Sequence, residues 1–125
     1  MRLLLDTPAL LWWLPDDSRL SSTAREAIAK PLNQVLISAV SGWEMSIKQA
    51  LGKLDVDLNA LQSEIEKNGF SMLPISFNHG LAVGALPPHH RDPFDRMLVA
   101  QAQTESLHLI STNAQLIAYD VDLLW

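Results

Sequence analysis

A chain of 125 residues, 48% apolar and 18% charged, carries enough apolar side chains for one buried core and too few charges for a disordered chain. Without cysteine it has neither a disulfide framework nor a Cys-based zinc site, which fits a reducing, intracellular setting. A formal net charge of −5 excludes a broad basic face that coats nucleic acid, though not an enzyme that grips a short stretch of RNA locally.

Met1 to Leu5 is a short apolar run that ends at an aspartate and reads as a buried strand. The stretch from Leu3 to Leu14 behind Arg2 looks superficially like a secretion signal. Asp6 interrupts it, no small-residue cleavage site follows before Pro15, and no run is long enough to span a bilayer, so the expected location is the cytoplasm. Pro8 to Leu14 is predicted helical, with Pro8 suited to a first turn. After a turn at Asp16, Asp17 and Ser18, Ser21 or Ser22 caps a helix to about Lys30, with Arg25 and Glu26 exposed. Gln34 to Ser38 is a second buried strand. Ser41 is expected to start a helix to about Leu51, stopped by Gly52, with Ile47 and Leu51 toward the core. Asp57 opens a helix to about Asn68, which Gly69 ends. Met72 to Ile75 is a third strand, Phe77 to Leu86 a short helix, and Pro87-Pro88 a break. Pro93 begins a helix to about Ser106. Leu107 to Ile110 is a fourth strand, Asn113 to Ala118 a helical turn, and Val121 to Leu124 a last strand.

Strands alternating with helices, each strand apolar throughout, predict one α/β domain over residues 1–125. A short, mostly parallel central sheet would lie between two layers of helices. Ligands of such sheets gather beyond the carboxyl ends of the strands, so the residues just after each strand are the candidates.

Three carboxylates stand there. Asp6 follows the first strand directly, and taken alone it equally reads as a helix cap. Glu44 sits near the start of the helix after the second strand. Ser41-Gly42-Trp43-Glu44 is also a capping-box pattern, and Glu44 with Lys48 an i, i+4 ion pair. Asp95 shares the i, i+3, i+4, i+7 stripe of Leu98, Val99 and Ala102, which a helix buries. A carboxylate on that stripe is costly unless paired or bound to a metal. Asp92, at the start of the same helix, reads as its cap. Several acids gathered on one rim raise each other's pKa, and a hard cation relieves the repulsion. Oxygen ligands favour magnesium or manganese.

At these residues the chain resembles a known family. Leu3-Leu4-Leu5-Asp6-Thr7 with Ala9 to Leu14, Ser38 to Glu44 with Ile47-Lys48, and His90-Arg91-Asp92-Pro93-Phe94-Asp95-Arg96 with Leu98 to Ala102 are similar to PIN-domain toxins of the VapC type. The tail from Leu109 to Trp125 fits as well, so the likeness covers essentially the whole chain. The resemblance implies a PIN-like three-layer α/β/α domain and a metal-dependent endoribonuclease using Mg²⁺ or Mn²⁺. It implies a toxin of a type II toxin–antitoxin pair, dimeric and silenced by a cognate antitoxin, with tRNA or mRNA as substrate. It places catalytic and metal-binding acids at Asp6, Glu44 and Asp95, with Asp92 assisting. Ser111-Thr112-Asn113 departs from the family's Thr-x-Asp pattern: Asn113 offers a carbonyl oxygen but no charge, and also fits a cap. A site with one charge fewer should hold a second metal less firmly.

Around the acids, Lys48, Lys53, Arg91 and Arg96 are candidates for holding phosphates and equally ordinary surface charges. Trp12, Trp13 and Trp43 could stack on bases, or belong to the core or a partner surface. His89 and His90 lack a ligand spacing and read as solvated loop residues. Two other readings stand beside the nuclease. An aspartyl phosphatase would need a second acid two residues after Asp6, where Pro8 stands. A catalytically weak module that binds antitoxin or RNA without cutting is the non-enzyme alternative, and Asn113 keeps it open.

Overall fold

The computed structural model describes residues 1–125. In chain order the elements are β1 (Arg2–Leu5), α1 (Thr7–Trp13), α2 (Ser22–Ala29), β2 (Gln34–Ser38), α3 (Ala39–Ala50), α4 (Leu58–Lys67), β3 (Ser71–Leu73), α5 (Phe77–Ala85), α6 (Pro93–Glu105), β4 (His108–Ile110), a 3-10 turn (Ala114–Ala118) and β5 (Leu123–Leu124). The strands form one sheet in the order β3-β2-β1-β4-β5, and every neighbouring pair is parallel.

Strand β1 lies at the centre, with Leu4 in register with Leu36 of β2 and Leu109 of β4. Its side chains alternate between the two faces. Leu3 and Leu5 pack with Leu10, Ala24, Ile28, Leu61 and Ile65, the apolar faces of α1, α2 and α4. Leu4 packs on the other side with Leu36, Leu98, Val99 and Leu109, so α6 covers that face. Two covered faces explain why the strands show no polar alternation. Each of these fully buried leucines contributes about 2 kcal/mol of transfer free energy.

Helix α3 departs from expectation in a way that matters for Glu44. Ser38, the last residue of β2, caps it by accepting from the Val40 N–H at 3.0 Å. The helix therefore starts at Ala39 rather than Ser41, and the Ser41–Glu44 capping box does not form. Its buried residues are Val40, Ser41, Glu44 and Met45, whereas Leu51 is 63% exposed and Ile47 only half-buried. Val40 joins the α6 side of the core and Met45 the other, so α3 straddles the carboxyl end of the sheet. Smaller differences have local causes. β3 stops at Leu73 because Pro74 has no N–H for the ladder. Arg25 is half-buried, since its guanidinium bonds to Asp16 and to the Asp17 and Leu20 carbonyls.

A buried polar chain ties the α6 side together. Ser38 Oγ donates to Gln101 Oε1 at 2.6 Å, and Gln101 Nε2 donates to the Pro74 carbonyl at 3.3 Å. Gln101 Nε2 also lies 3.3 Å from His79 Nδ1, which accepts the Ser76 N–H at 2.9 Å. The His79 hydrogen therefore sits on Nε2 and is donated to Glu105 at 2.9 Å. Gln101 is fully buried, so removing its amide strands several partners at once. Gln101→Met, similar in volume, is expected to cost about 2 kcal/mol of stability. Calorimetry should show a melting midpoint lower by roughly 8 °C; an unchanged midpoint would mean that the network is dispensable.

Candidate active site

The order of strand addition reverses at β1, with β2 and β3 on one side and β4 and β5 on the other, and crevices for ligands open at such switch points. Asp6 is the first residue beyond β1, and its N–H donates to the Ile110 carbonyl at 3.1 Å, the end of the β4 ladder. Its side chain caps α1, with Oδ1 accepting the Ala9 N–H at 2.9 Å, and the nearby Ser111 hydroxyl favours the ionised carboxylate. Ser111 Oγ in turn accepts the Asn113 N–H at 3.1 Å. Only 4% of Asp6 is exposed. Burial pushes its pKa up to about 6, with the charges of Asp95 and Glu44 adding to the rise.

Glu44 faces Asp6 from α3 and is likewise buried. Thr7 Oγ1 lies 2.7 Å from Glu44 Oε1 and 3.0 Å from Ser41 Oγ. Thr7 has one hydroxyl proton, and the shorter, charge-assisted contact takes it. Ser41 then donates to Thr7. The other oxygen, Oε2, accepts from Lys48 Nζ at 2.5 Å. The Lys48 pKa is raised, chiefly by that bond, with smaller contributions from Asp92 and Asp95. The i, i+4 pair is thus formed, and its ammonium also feels the other acids.

Asp95 opens α6 one turn before Leu98, Val99 and Ala102, all buried. His90 Nε2 lies 2.9 Å and Asn113 Nδ2 3.2 Å from its Oδ2. Burial raises its pKa, the His90 bond opposes the rise, and Asp92 and Glu44 add to it. Asp92 is the helix cap, its Oδ1 accepting from the N–H groups of Phe94 and Asp95 at 2.8 and 3.1 Å. Ligating atoms of His90, Asp92 and Asp95 lie within 4.8 Å of one another. Asp6 and Glu44 lie outside that group, although the charges of Asp95 and Glu44 reach Asp6 and that of Glu44 reaches Asp95.

The sequence matches the PIN domain family over residues 3–122. The chain belongs to the PIN-domain family. Its fold is shared with solved toxin–antitoxin structures. VapBC2 from Rickettsia felis, bound to a DNA fragment from the promoter, is 14% identical with a TM-score of 0.70, over 98% of this chain and 97% of that one. VapBC-1 from nontypeable Haemophilus influenzae is 17% identical with a TM-score of 0.65, over 98% and 96%. A toxin–antitoxin complex from Klebsiella pneumoniae is 22% identical with a TM-score of 0.62, over 94% and 92%. No curated protein matches the sequence significantly. No helix of this PIN domain is long and apolar enough to cross a membrane.

Several sequence expectations change once the PIN domain is seen in three dimensions. His90 is not a solvated loop residue: its side chain is 13% exposed and bonded to Asp95, whereas His89 is exposed and packs edge-on against Tyr119. Thr112 is exposed, and it is its neighbours Ser111 and Asn113 that reach the acids. Asn113 Oδ1 accepts the Gln115 N–H at 3.0 Å, so the amide turns its donor to Asp95 and does not present a ligand oxygen. Arg96 is not free for phosphates. Its guanidinium donates to the Pro87, Val83 and Leu86 carbonyls and to Tyr119 Oη. Lys53 and Arg91 are exposed. Trp43, 55% exposed, sits edge-on against Phe94 at 5.0 Å, beside Glu44 and Asp95, while Trp12 packs on Trp125 and Trp13 on Phe70.

Thr7, Ser111 and His90 were missed as neighbours of the acids, as were Ser41 and Tyr119, which bond to Thr7 and to the His90 backbone. Each lies within three residues of a strand end or in the His90-to-Asp95 motif, apart from Tyr119, for which no local signal exists. The residues fit a divalent cation. The donors are mostly carboxylate oxygens, two of them with pKa values raised by burial and by neighbouring acids, a repulsion that a hard cation relieves.

Proposed function

We propose that this PIN domain is the toxin of a type II toxin–antitoxin pair of the VapC type and acts as a metal-dependent endoribonuclease. The observation that carries the reading is the grouping of His90, Asp92 and Asp95, ligating atoms within 4.8 Å, with buried Asp6 and Glu44 near enough for charge effects among Asp6, Glu44 and Asp95. Its likeness in fold to solved toxin–antitoxin complexes supports the same assignment.

Asp6, Glu44 and Asp95 would hold Mg²⁺ or Mn²⁺, with Asp92 beside them. A bound cation supplies positive charge against the phosphoryl oxygens and makes water a better nucleophile at neutral pH. The chain itself fixes the acids: Ala9 orients Asp6, Thr7 orients Glu44, and the α6 cap sets Asp95. Lys48, already among the acids, and exposed Arg91 are suited to the RNA phosphates. The family resemblance assigns products with a 5′-phosphate and a 3′-hydroxyl. The reading includes a tRNA or mRNA substrate, a cognate antitoxin, a homodimer and a cytoplasmic location.

The second reading, a weakly active module that binds antitoxin or RNA, is favoured by Asn113 in place of an acid and by the Glu44–Lys48 pair. Purified chain with RNA separates the two. Cleavage is expected in Mn²⁺ or Mg²⁺, lost with a chelator, and reduced about a hundredfold by Glu44→Gln, the effect of roughly 3 kcal/mol at the transition state. RNA binding without cleavage at saturating Mn²⁺ would favour the module.

A further inference from the structure

His90 lies in the loop between α5 and α6 and is held there by its backbone. Its N–H donates to Tyr119 Oη at 3.0 Å, and Tyr119, only 4% exposed, also accepts from Arg96 Nη1 at 3.0 Å. The position of the loop therefore does not depend on the imidazole. The ring is turned inward, with Nε2 2.9 Å from Asp95 Oδ2. Asn113 Nδ2 approaches the same oxygen at 3.2 Å, and the Gln115 N–H on Asn113 Oδ1 fixes which way that amide faces. Two N–H donors thus saturate Oδ2, while Oδ1 has no hydrogen-bond partner in the protein.

We propose that His90 is a positioning residue: with Asn113 it clamps Asp95 Oδ2, so that Asp95 serves a cation through Oδ1 alone, in one fixed rotamer. The clamp replaces charge with orientation. It supplies what a weaker acid set needs, a ligand that loses no rotamer freedom when the cation binds. Groups that bond to metal-ligating carboxylates act in this way. The proposal rests on the nuclease reading, and Mn²⁺ binding measured apart from cleavage tells the two failures apart.

The test compares His90→Leu, His90→Gln and Asp95→Asn with the wild-type chain. Mn²⁺ binding is followed by electron paramagnetic resonance, alongside RNA cleavage kinetics and melting in chelator. His90→Leu is expected to weaken Mn²⁺ binding by roughly 10–100-fold and to raise the Mn²⁺ needed for half-maximal cleavage by the same factor. KM for RNA should change little, and the melting midpoint should stay close to that of the wild type. His90→Gln, whose amide can donate to Oδ2, should restore most of the affinity. If the wild type binds Mn²⁺ but cuts no RNA, while these binding shifts persist, the clamp stands and the nuclease reading falls. The proposal is overturned if His90→Leu binds Mn²⁺ as tightly as the wild type, if His90→Gln rescues nothing, or if the wild type binds no Mn²⁺.

Discussion

Asp6→Asn is expected to abolish RNA cleavage and at the same time to stabilise the metal-free protein at neutral pH. The two effects share one cause. Asp6 is almost fully buried, and its carboxyl titrates near 6 rather than 3.8. Because the folded value lies above the unfolded one, the stability this group contributes is present while it is protonated. That stability is lost as pH rises from about 4 through about 6. A rise of roughly two pKa units corresponds to about 3 kcal/mol, an order-of-magnitude figure. Asparagine carries no such cost and can still cap α1 by accepting the Ala9 N–H. Thermal unfolding in chelator should give a higher midpoint for Asp6→Asn above pH 6 and converging midpoints well below it. Added Mn²⁺ should raise the wild-type midpoint and leave the variant nearly unmoved. A variant less stable than wild type at neutral pH would show that Asp6 is not strained when ionised. Mn²⁺ affinity of the wild type should also fall on acidification through pH 6, since the ligand must be ionised.

Arg96→Leu is expected to damage stability and cleavage together, which separates it from a phosphate contact. The side chain bonds to three carbonyls at the end of α5 and in the following loop, and to Tyr119 Oη, which also holds His90. Its loss leaves acceptors unpaired in a half-buried place, at a cost of about 3 kcal/mol. Lysine should not rescue it, because one ammonium cannot reach acceptors spread across a planar fork. Calorimetry and cleavage at saturating RNA check both parts. A variant with normal melting and only a raised KM for RNA would return Arg96 to the substrate.

The family and the layer architecture were legible because apolar strands and stripes of fixed period leave little choice of partner. Leu3, Leu4 and Leu5 could only be a central strand, and Leu98, Val99 and Ala102 could only face a sheet. The acids were legible for the opposite reason: Asp95 extends an apolar stripe, where a charge needs compensation. The start of α3 was not legible, because Ser38 and Ser41 are both good caps and only the Val40 N–H bond to Ser38 Oγ shows which serine caps the helix. Arg96 and His90 misled for a different reason. Polar side chains near a loop look alike in sequence, and their surroundings include Tyr119 and Asn113, some 23 to 29 residues away.

The order of the strands has a bearing on how the protein is made. β1 and Asp6 leave the ribosome before the other strands, yet β1 is central and needs β4 on its far side, the strand that ends at Ile110. The two acids at positions 6 and 95 thus stay apart until β4 has emerged, roughly 5–20 s after Asp6 is added at usual elongation speeds. A nascent chain cut short before β4 therefore lacks the strand beside which Asp6 and Asp95 are brought together.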